Sequence, residues 1–276
     1  MSDAACIAFL QWALPRLDLR WAGFRKVHGQ VCKRLRRRMA ELGLADFDAY
    51  RARLEADPAE WRALDDCCHI TISRFFRDRG VFEALRRRVL PDIAARARRE
   101  GRAATIWSAG CASGEEAYTL KILWDLEVAG PAGAPPLSIV ATDIDDDMLE
   151  RAREGCFAAT SVKELPPQFR GEALERVGER FCVRAPHRAG ITFLRQDIRS
   201  EAPPGPFDLV LCRYLAFTYF TPGLQWQVLA RLLRSLRPEG YLAIGTHERL
   251  PETGAGLIAA AGSEQIFQRQ SAAAGG

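Results

Sequence analysis

The stretch Ile106–Tyr118 constrains the fold of this chain more than any other. An apolar run, Ala103–Trp107, predicts a buried strand of a parallel sheet. The run ends in a loop of small residues, where Gly110 and Gly114 allow a tight turn and a close approach of the backbone to a ligand. Two glutamates then begin a helix. A glycine-containing turn from a first strand into a helix predicts an α/β sheet with an adenine-nucleotide site at this edge.

The composition of this loop narrows the choice of ligand. It has neither the G-x-G-x-x-G spacing of dinucleotide sites nor the Lys-Ser/Thr pair of ATP phosphate loops. The carboxylates of Glu115 and Glu116 suit a ligand with positive charge better than one with phosphates. S-adenosylmethionine (SAM) carries a sulfonium and an ammonium group, so we predict it as the cofactor.

Further apolar runs predict the rest of the sheet. The second strand is predicted at Ser138–Asp145, and a carboxylate at its end, Asp143 or Asp145, is placed to accept both ribose hydroxyls; the family resemblance described below favours Asp143. The other strands are predicted at Phe193–Ile198, Phe207–Arg213 and Tyr241–Thr246, with an antiparallel part at Leu257–Gln270. Helices are predicted at Val81–Arg98, Asp147–Glu154 and Thr221–Arg237. This alternation indicates parallel pairing with right-handed crossovers.

Residues 1–70 are predicted to be helical throughout. The main helix runs from Phe24 to Leu42, and its apolar residues recur every three or four positions: Val27, Val31, Leu35, Met39 and Leu42. Gly43 follows where a helix C-cap is expected. Shorter helices are predicted at Asp46–Glu55 and Pro58–Cys68.

The other face of the main helix is strongly basic. It carries Arg25, Lys26, Lys33, Arg34, Arg36, Arg37 and Arg38 with no acid among them. One interpretation is a solvated face whose cations suit the helix dipole. The other is a docking surface for an acidic protein, formed by Arg34, Arg37 and Arg38. Nucleic acid is disfavoured as a partner, because the whole chain is only +4 and no aromatic residues interleave the basic ones.

Composition sets the broad class. With 276 residues, 48% hydrophobic and 27% charged, the chain is typical of soluble globular proteins of one large domain or two smaller ones. No apolar run reaches membrane-spanning length, and residues 1–20 lack a signal core, so we expect a cytoplasmic protein without membrane insertion. The eight scattered cysteines are expected to be reduced structural thiols. Cys67, Cys68 and His69 form the one place for a reactive thiol or a metal, and we predict no metal site.

The segment Ile70–Asp78, the basic helix before it and the loop Ser108–Glu116 after it together resemble the CheR family of chemotaxis receptor methyltransferases. The resemblance extends from about Phe24 to about Glu248. It implies a class I methyltransferase fold, which is Rossmann-like with a mostly parallel seven-stranded sheet, in residues 73–276. It also implies a small all-helical domain in residues 1–72. The implied activity is transfer of methyl from SAM to receptor glutamates, with S-adenosylhomocysteine as product.

The resemblance also implies site residues. Arg77 would reach the cofactor site and orient the incoming carboxylate, and Tyr219 would lie beside the methyl group. The adenine edge falls on Asp197, with Ile198 against the ring. The full set of implied cofactor-binding residues is Thr71, Ser73, Arg77, Ala109, Gly110, Glu116, Asp143, Ile144, Asp197, Ile198, Arg213, Tyr214 and Leu215. The alternatives are a surface salt bridge for Arg77 and a packed core aromatic for Tyr219.

Two departures from the family pattern concern the substrate. Tyr214 replaces the usual asparagine after the fourth strand, in a segment one residue longer than usual, so that cofactor contact is lost or remade. The insertion at 176–193 is predicted to be reduced. Only Arg180–Arg184 reads as a strand there, so at least one strand of the family's small β-subdomain is expected to be missing, which counts against docking of a receptor tail.

Three functions therefore remain open from the sequence. The first is a CheR-like protein-glutamate O-methyltransferase, which needs no general base because a carboxylate is already ionised at pH 7 and only has to be aligned. The second is an enzyme on the same scaffold that methylates a small carboxylate, hydroxyl or thiol. The third, indicated by Tyr214, is a cofactor-binding regulator without turnover.

Overall fold

A computed structural model describes residues 3–128, 133, 135–251 and 256–270 of the 276-residue chain. Its contacts divide the chain into two compact units. The first holds the residues up to Ile70 together with Thr218–Gln225, and the second holds Thr71–Phe217 and the residues from Trp226 onward. The sequence assigned Thr218–Gln225 to the second domain, because chain order alone does not show that this segment returns to the first unit.

The first unit is helical. Its helices are α1 Asp3–Ala13, α2 Trp21–Phe24, α3 His28–Glu41, α4 Phe47–Ala56 and α5 Glu60–Cys68. In α3, Val31, Leu35 and Met39 recur every four residues and are fully buried, which confirms the predicted apolar face. Asp46 begins α4 as its N-cap, since its side chain accepts from Ala49 N at 2.8 Å.

The single helix predicted at Phe24–Leu42 is wrong in its first turn. A turn at residues 25–27 separates α2 from α3, with Val27 N donating to Phe24 O and Gln30 N donating to Val27 O, each at 3.0 Å. Phe24 is buried, and its ring packs 5.0 Å from that of Tyr219, so a tertiary contact fixes α2 and overrides the helical pattern. Two of the seven basic residues, Arg25 and Lys26, therefore lie in the turn.

The second unit contains all ten strands of the described chain. They are β1 Ala104–Ala109, β2 Leu137–Asp143, β3 Cys156–Ala158, β4 Leu174–Val177, β5 Arg180–Val183, β6 Ile191–Arg195, β7 Phe207–Cys212, β8 Leu236–Ala243, β9 Leu257–Ala260 and β10 Ser263–Arg269. Seven of them form one sheet in the order β6-β2-β1-β7-β8-β10-β9. The first five strands in this order are parallel, and β10 and β9 are antiparallel. The predicted fold class is confirmed.

Burial explains the order of the strands. β7 is buried at every position and β1 at all but one, as expected for central strands covered on both faces. β6 is only partly buried and lies at an edge. The remaining helices are α6 Arg79–Ala84, α7 Leu90–Arg99, α8 Glu115–Leu123, α9 Asp146–Glu154, α10 Pro167–Ala173, α11 Ala216–Tyr219 and α12 Pro222–Ser235. A π-helical turn, Leu85–Val89, joins α6 to α7, so the helix predicted at Val81–Arg98 is confirmed with this irregularity.

The prediction of a missing strand in the insertion is wrong. β3, β4 and β5 form a separate antiparallel sheet in the order β3-β5-β4. The sequence indicated only β5, because β3 has three residues and β4 has a single buried one, too few for an alternating pattern. The reason for doubting a docking role of this subdomain is thereby removed.

The prediction that the cysteines are all reduced is also wrong. Disulfides join Cys6 to Cys32 in the first unit and Cys156 to Cys182 in the second. Each pair is 26 residues apart in sequence, and only the packing of α1 on α3 and the pairing of β3 with β5 bring the sulfurs together. Cys67 and Cys68 are free thiols, and burial raises the pKa of both, which counts against a reactive thiol there.

Helices in the described ranges were compared with the length and hydropathy needed to cross a bilayer. None of them is long and apolar enough.

Candidate active site

The loop after β1 has the turn conformation that its glycines indicate. Gly110 and Gly114 have φ of 77° and 88°, and Ala112 between them also has a positive φ of 46°. A Cβ added to Gly110 would lie 2.6 Å from a methyl carbon of Leu215, so that side chain would have to shift, and the positive φ favours glycine in any case. Gly110 N donates to Thr142 O at 2.8 Å, which places the loop at the carboxyl ends of β1 and β2.

Asp143, the last residue of β2, lies against this loop. Its Oδ2 accepts from Ala112 N at 2.8 Å and its Oδ1 from Asp145 N at 3.0 Å. The side chain of Asp145 has another role, because its Oδ1 accepts from Met148 N at 3.1 Å and caps α9. The structure therefore places the two candidate acids differently, with Asp143 at the loop and Asp145 at a helix end.

The two glutamates that begin α8 also differ. Glu115 is buried, and its carboxylate accepts from the hydroxyls of Ser113 and Ser161, each at 2.8 Å. Glu116 accepts from Ser108 Oγ at 2.7 Å and from Arg213 Nη1 at 2.8 Å. Glu115 therefore joins two loops of the scaffold, and Glu116 forms an ion pair with the residue that follows β7.

Arg213 connects this end of the sheet to the segment before α6. Only 4% of its side chain is exposed, and Nη2 donates both to Arg77 O at 2.6 Å and to Asp78 Oδ2 at 2.9 Å. With Glu116 on Nη1, the guanidinium lies between two carboxylates. Asp78 was not among the predicted site residues, although it directly follows the Phe-Phe-Arg segment on which the resemblance rested.

The surroundings of Arg213, Asp78 and Tyr214 fix the charge of each of these side chains. Burial alone would lower the pKa of Arg213, but Glu116 and Asp78 outweigh it and the pKa is raised. Burial alone would raise the pKa of Asp78, but the Tyr214 phenol and the Arg213 cation hold it below its ordinary value. Burial and the Asp78 carboxylate raise the pKa of the Tyr214 phenol. At neutral pH, Arg213 is a cation, Asp78 an anion and Tyr214 a neutral donor.

The phenol of Tyr214 has a definite partner. Its hydroxyl donates to Asp78 Oδ2 at 2.5 Å, beside the donor from Arg213. Its backbone N donates to Glu248 Oε2 at 2.8 Å, and Gly245 N donates to the same oxygen at 2.8 Å. Glu248 is buried and was not predicted as a site residue, because the turn after β8 carries no recognisable motif.

Arg77 lies over the ring of Tyr214. Its guanidinium carbon is 4.0 Å from the ring centroid, and Nη1 donates to Ile72 O at 2.5 Å. The alternative of a surface salt bridge is not seen, since no carboxylate in the described ranges pairs with this guanidinium. The two phenylalanines before it, Phe75 and Phe76, are fully buried in the core of the second unit and fix the backbone from which Arg77 extends.

The remaining predicted positions lie in the same unit except Tyr219. Asp197 follows β6, and both of its oxygens accept from Arg199 Nε, at 3.0 and 2.9 Å. Ile198 is buried beside it. Tyr219 ends α11 and is half-buried, with its ring against Phe24 in the first unit. The half-buried positions not yet described are Thr71, Ser73, Ile144 and Leu215, and Ala109 is buried at the end of β1.

Comparison with protein families decides the affiliation. The model of the CheR methyltransferase SAM-binding domain matches residues 71–264, and that of the CheR all-alpha domain matches residues 28–66. This chain belongs to the CheR methyltransferase family. Its cofactor is SAM, and the matched SAM-binding domain includes Asp78, Glu116 and Arg213.

Relatives of this CheR chain support the same affiliation. It is 32% identical over 237 residues to a chemotaxis protein methyltransferase of Salmonella typhimurium, covering 79% of this chain and 75% of that one. It is 34% identical over 181 residues to one of Listeria monocytogenes, covering 66% of each. It is 33% identical over 240 residues to an uncharacterized 104.1 kDa protein of Rhodobacter capsulatus, where it spans only 25% of that protein's length.

Among solved structures, the glycopeptide N-methyltransferase MtfA complexed with SAM superimposes on this CheR chain with a TM-score of 0.34 and 13% identity. The overlap covers 56% of this chain and 53% of that one.

The residues of this CheR chain fit SAM by the chemistry of their donors and acceptors. Asp143 is a carboxylate at the end of β2, and a carboxylate is an acceptor of the kind that ribose hydroxyls require. Gly110 and Gly114 bring backbone rather than side chains to the strand ends. The carboxylates of Asp143, Glu115 and Glu116 lie at or beside the loop, which suits a cationic cofactor.

The basic helix of this CheR chain is less free than its sequence indicated. Arg34 donates to the carbonyls of Cys67 and His69, and Arg38 forms a forked pair with Glu60. Arg37 is 78% exposed, and its one ion pair, with Glu41, is long at 3.7 Å. Of the three residues predicted to dock a partner, only Arg37 therefore extends into solvent, because Arg34 and Arg38 are bound within the helical unit.

Proposed function

We propose that this chain transfers methyl from SAM to glutamate side chains of a chemoreceptor. Membership of the CheR family and similarity to chemotaxis protein methyltransferases of two organisms support the proposal. The observation that carries it is the state of Arg77. A guanidinium held on an aromatic face, with no carboxylate paired to it in the described part of the chain, is suited to bind an incoming carboxylate through two parallel N–H donors.

The cofactor-binding residues are proposed from the resemblance together with their positions. Asp143 would accept the ribose hydroxyls at the end of β2, and Asp197 with Ile198 would border the adenine at the end of β6. Thr71, Ser73, Ala109, Gly110, Ile144 and Leu215 would line the site with backbone and small or apolar groups. Tyr219 keeps the catalytic role that the resemblance implies as a prediction.

In this proposal the main role of Glu116 and Arg213 is to form an ion pair with each other. Their pairing and the contact of Arg213 with Asp78 fix the loop after β1, the end of β7 and the segment before α6 to one another. A buried cation between two anions would also orient Tyr214 through Asp78. Their predicted cofactor contacts would add to this role in holding the site in place.

The chemistry requires alignment more than acid or base catalysis. SAM supplies a methyl group on a sulfonium sulfur, which leaves with the electron pair of the broken C–S bond. The acceptor carboxylate is ionised at pH 7, so no residue has to remove a proton. What the chain must do is hold that carboxylate in line and exclude water, and a forked contact from Arg77 fixes both oxygens of the acceptor.

Exposed basic residues of the first unit form the proposed docking surface for the acidic receptor. Of these exposed residues, the proposed surface comprises the four in or just before α3, which are Arg25, Lys26, Lys33 and Arg37. Clustered exposed charges of one sign raise the rate of association with an oppositely charged partner, and this effect weakens with salt. A cytoplasmic location is proposed from the family resemblance, although two disulfides are uncommon in that compartment.

The experiment is a methyl-transfer assay with tritiated SAM and purified cytoplasmic fragments of chemoreceptors from the source organism. We expect base-labile label on the receptor band, as a carboxyl methyl ester requires, and loss of label when the modified glutamates are changed to alanine. Label that appears only in a small-molecule fraction of a lysate, or on the receptor in a base-stable form, would contradict the proposal.

A further inference from the structure

The backbone of Tyr214 is unusual. Its φ of 54° lies in the left-handed region, which asparagine enters far more readily than an aromatic residue does. A residue held in this region costs about 1 to 3 kcal/mol and persists only where its surroundings fix it. Such outliers cluster at functional sites.

Three neighbours are arranged around this ring. Gly245 leaves room for it, because a Cβ there would lie 2.8 Å from Tyr214 Cζ. Glu248 holds the backbone N of Tyr214, and Asp78 accepts its hydroxyl. The ring is therefore fixed at its edge, at its backbone and at its hydroxyl.

The face of the fixed ring is covered by Arg77. The guanidinium carbon lies 4.0 Å from the centroid, well within the range of a cation–π contact. In the described ranges this cation has no carboxylate partner, and Ile72 O accepts one of its donors. The guanidinium is thus held by contacts with an aromatic surface and one carbonyl.

We propose that Tyr214 is a positioning residue that holds the Arg77 guanidinium in the orientation needed to bind the acceptor carboxylate. The inference rests on the proposed role of Arg77. Contact with the ring face and with Ile72 O restricts where the guanidinium can lie, and a forked contact gains its geometric specificity only if the fork is fixed. The hydroxyl of Tyr214 helps to hold the ring in place, since it donates to Asp78, which also accepts from Arg213.

Two substitutions distinguish the role of the Tyr214 ring from the role of its hydroxyl. Tyr214→Asn removes both and suits the left-handed backbone, whereas Tyr214→Phe removes only the hydroxyl. We expect Tyr214→Asn to lower kcat at least about tenfold, since small misplacements of a reacting group are costly, with little change in the affinity for S-adenosylhomocysteine. Tyr214→Phe should recover most of that loss. Equal losses in the two variants, or a loss confined to cofactor affinity, would overturn the proposal.

A structural role alone predicts a different pattern. If Tyr214 only stabilises the fold, the loss of activity in Tyr214→Asn should follow a loss of stability. We expect the midpoint of thermal unfolding to fall no further in Tyr214→Asn than in Tyr214→Phe, because asparagine relieves the backbone strain. A double variant that combines Tyr214→Asn with Arg77→Lys should be no less active than Arg77→Lys alone, because the two substitutions remove the same alignment of the acceptor carboxylate. Fully additive losses would show that the two residues act separately.

The contact between Arg77 and the Tyr214 ring can be measured without a methyl acceptor, and therefore independently of the proposed function. Stacking on the Tyr214 ring should shift the δ-methylene protons of Arg77 upfield in the NMR spectrum. The shift should persist in Tyr214→Phe and vanish in Tyr214→Asn. If receptors take no label but the shift behaves in this way, the proposed function fails while the positioning of Arg77 by Tyr214 stands. A parent protein without the shift would overturn the positioning even if receptors are methylated.

Discussion

The guanidinium of Arg38 donates to both oxygens of Glu60, from Nε to Oε1 at 2.9 Å and from Nη2 to Oε2 at 2.7 Å. Glu60 is 3% exposed, and its Oε1 also accepts from the hydroxyl of Tyr50 at 2.9 Å. A residue that the sequence placed on a docking face therefore ties α3 to α5 in the interior of the helical unit.

Arg38→Ala should lower the free energy of unfolding by about 2 kcal/mol. Breaking a buried pair costs about 3 to 5 kcal/mol, and we discount this because the Arg38 side chain is 32% exposed. Arg37→Ala, at the neighbouring exposed position, is the matched control and should change stability by less than about 0.5 kcal/mol. Urea unfolding of both variants measures the difference, and equal stabilities would remove the pair from the account.

The same pair predicts how stability depends on pH. The hydrogen bond from Arg38 is the main cause that holds the pKa of Glu60 below its ordinary value of 4.5, against the opposing effect of burial. A lowered carboxyl pKa contributes stability that is present above pH 4.5 and is lost as pH falls through the folded-state pKa. The stability difference between parent and Arg38→Ala should therefore shrink as pH falls below 4.5. A difference that stays constant between neutral and acid pH would contradict this.

The periodic pattern of α3 predicts the buried face of this helix but not the partners of its arginines. Spacings of three and four identify Val31, Leu35 and Met39 as buried, and the structure confirms them. The same pattern assigns every arginine to the solvent side. It cannot show that Glu60, 22 residues further on, or the carbonyl of Cys67 meets an arginine there, because those contacts depend on how α5 packs.

The docking surface is tested by charge reversal. Lys33→Glu combined with Arg37→Glu should raise the KM for the receptor fragment several-fold and flatten its dependence on salt, because rim charges act through screened long-range attraction. Affinity for the cofactor should not change. Arg99→Glu combined with Arg234→Glu, at exposed arginines of α7 and α12, changes the net charge equally and is the matched control. If both variants shift KM equally, the effect is one of net charge, and the proposed surface is wrong.

Asp143→Asn should weaken binding of SAM and of S-adenosylhomocysteine by about 1 to 3 kcal/mol, since the ribose hydroxyls would lose a charged acceptor. Asparagine keeps the shape of the side chain but only one acceptor oxygen, so it can keep one of the two hydrogen bonds from Ala112 N and Asp145 N and loses the other. Asp145→Asn retains a good N-cap for α9 and should leave affinity unchanged. Calorimetric titration compares the two. Equal affinities of Asp143→Asn and parent would take Asp143 out of the site.

The site was predictable where a motif lies on one strand end and unpredictable where distant segments meet. The loop with Gly110 and the acid at Asp143 follow from the strand-loop-helix pattern, which brings neighbouring strand ends together. The partners of Tyr214 do not follow from any pattern. Asp78 is 136 residues away in sequence, and Glu248 is 34 residues away in a turn with no motif. The replacement of asparagine by Tyr214 predicted a cofactor contact that is lost or remade, and the structure shows the phenol donating to Asp78.

The most direct test of the account is the steady-state methyl-transfer rate of Arg77→Lys on a receptor fragment. Lysine keeps the charge but lacks the planar fork, so kcat/KM should fall by more than about tenfold, or about 1.4 kcal/mol of transition-state stabilisation. Binding of SAM should suffer less, because alignment matters only when both reactants are present. A variant within about twofold of the parent would contradict the role of Arg77 as the residue that binds the acceptor carboxylate.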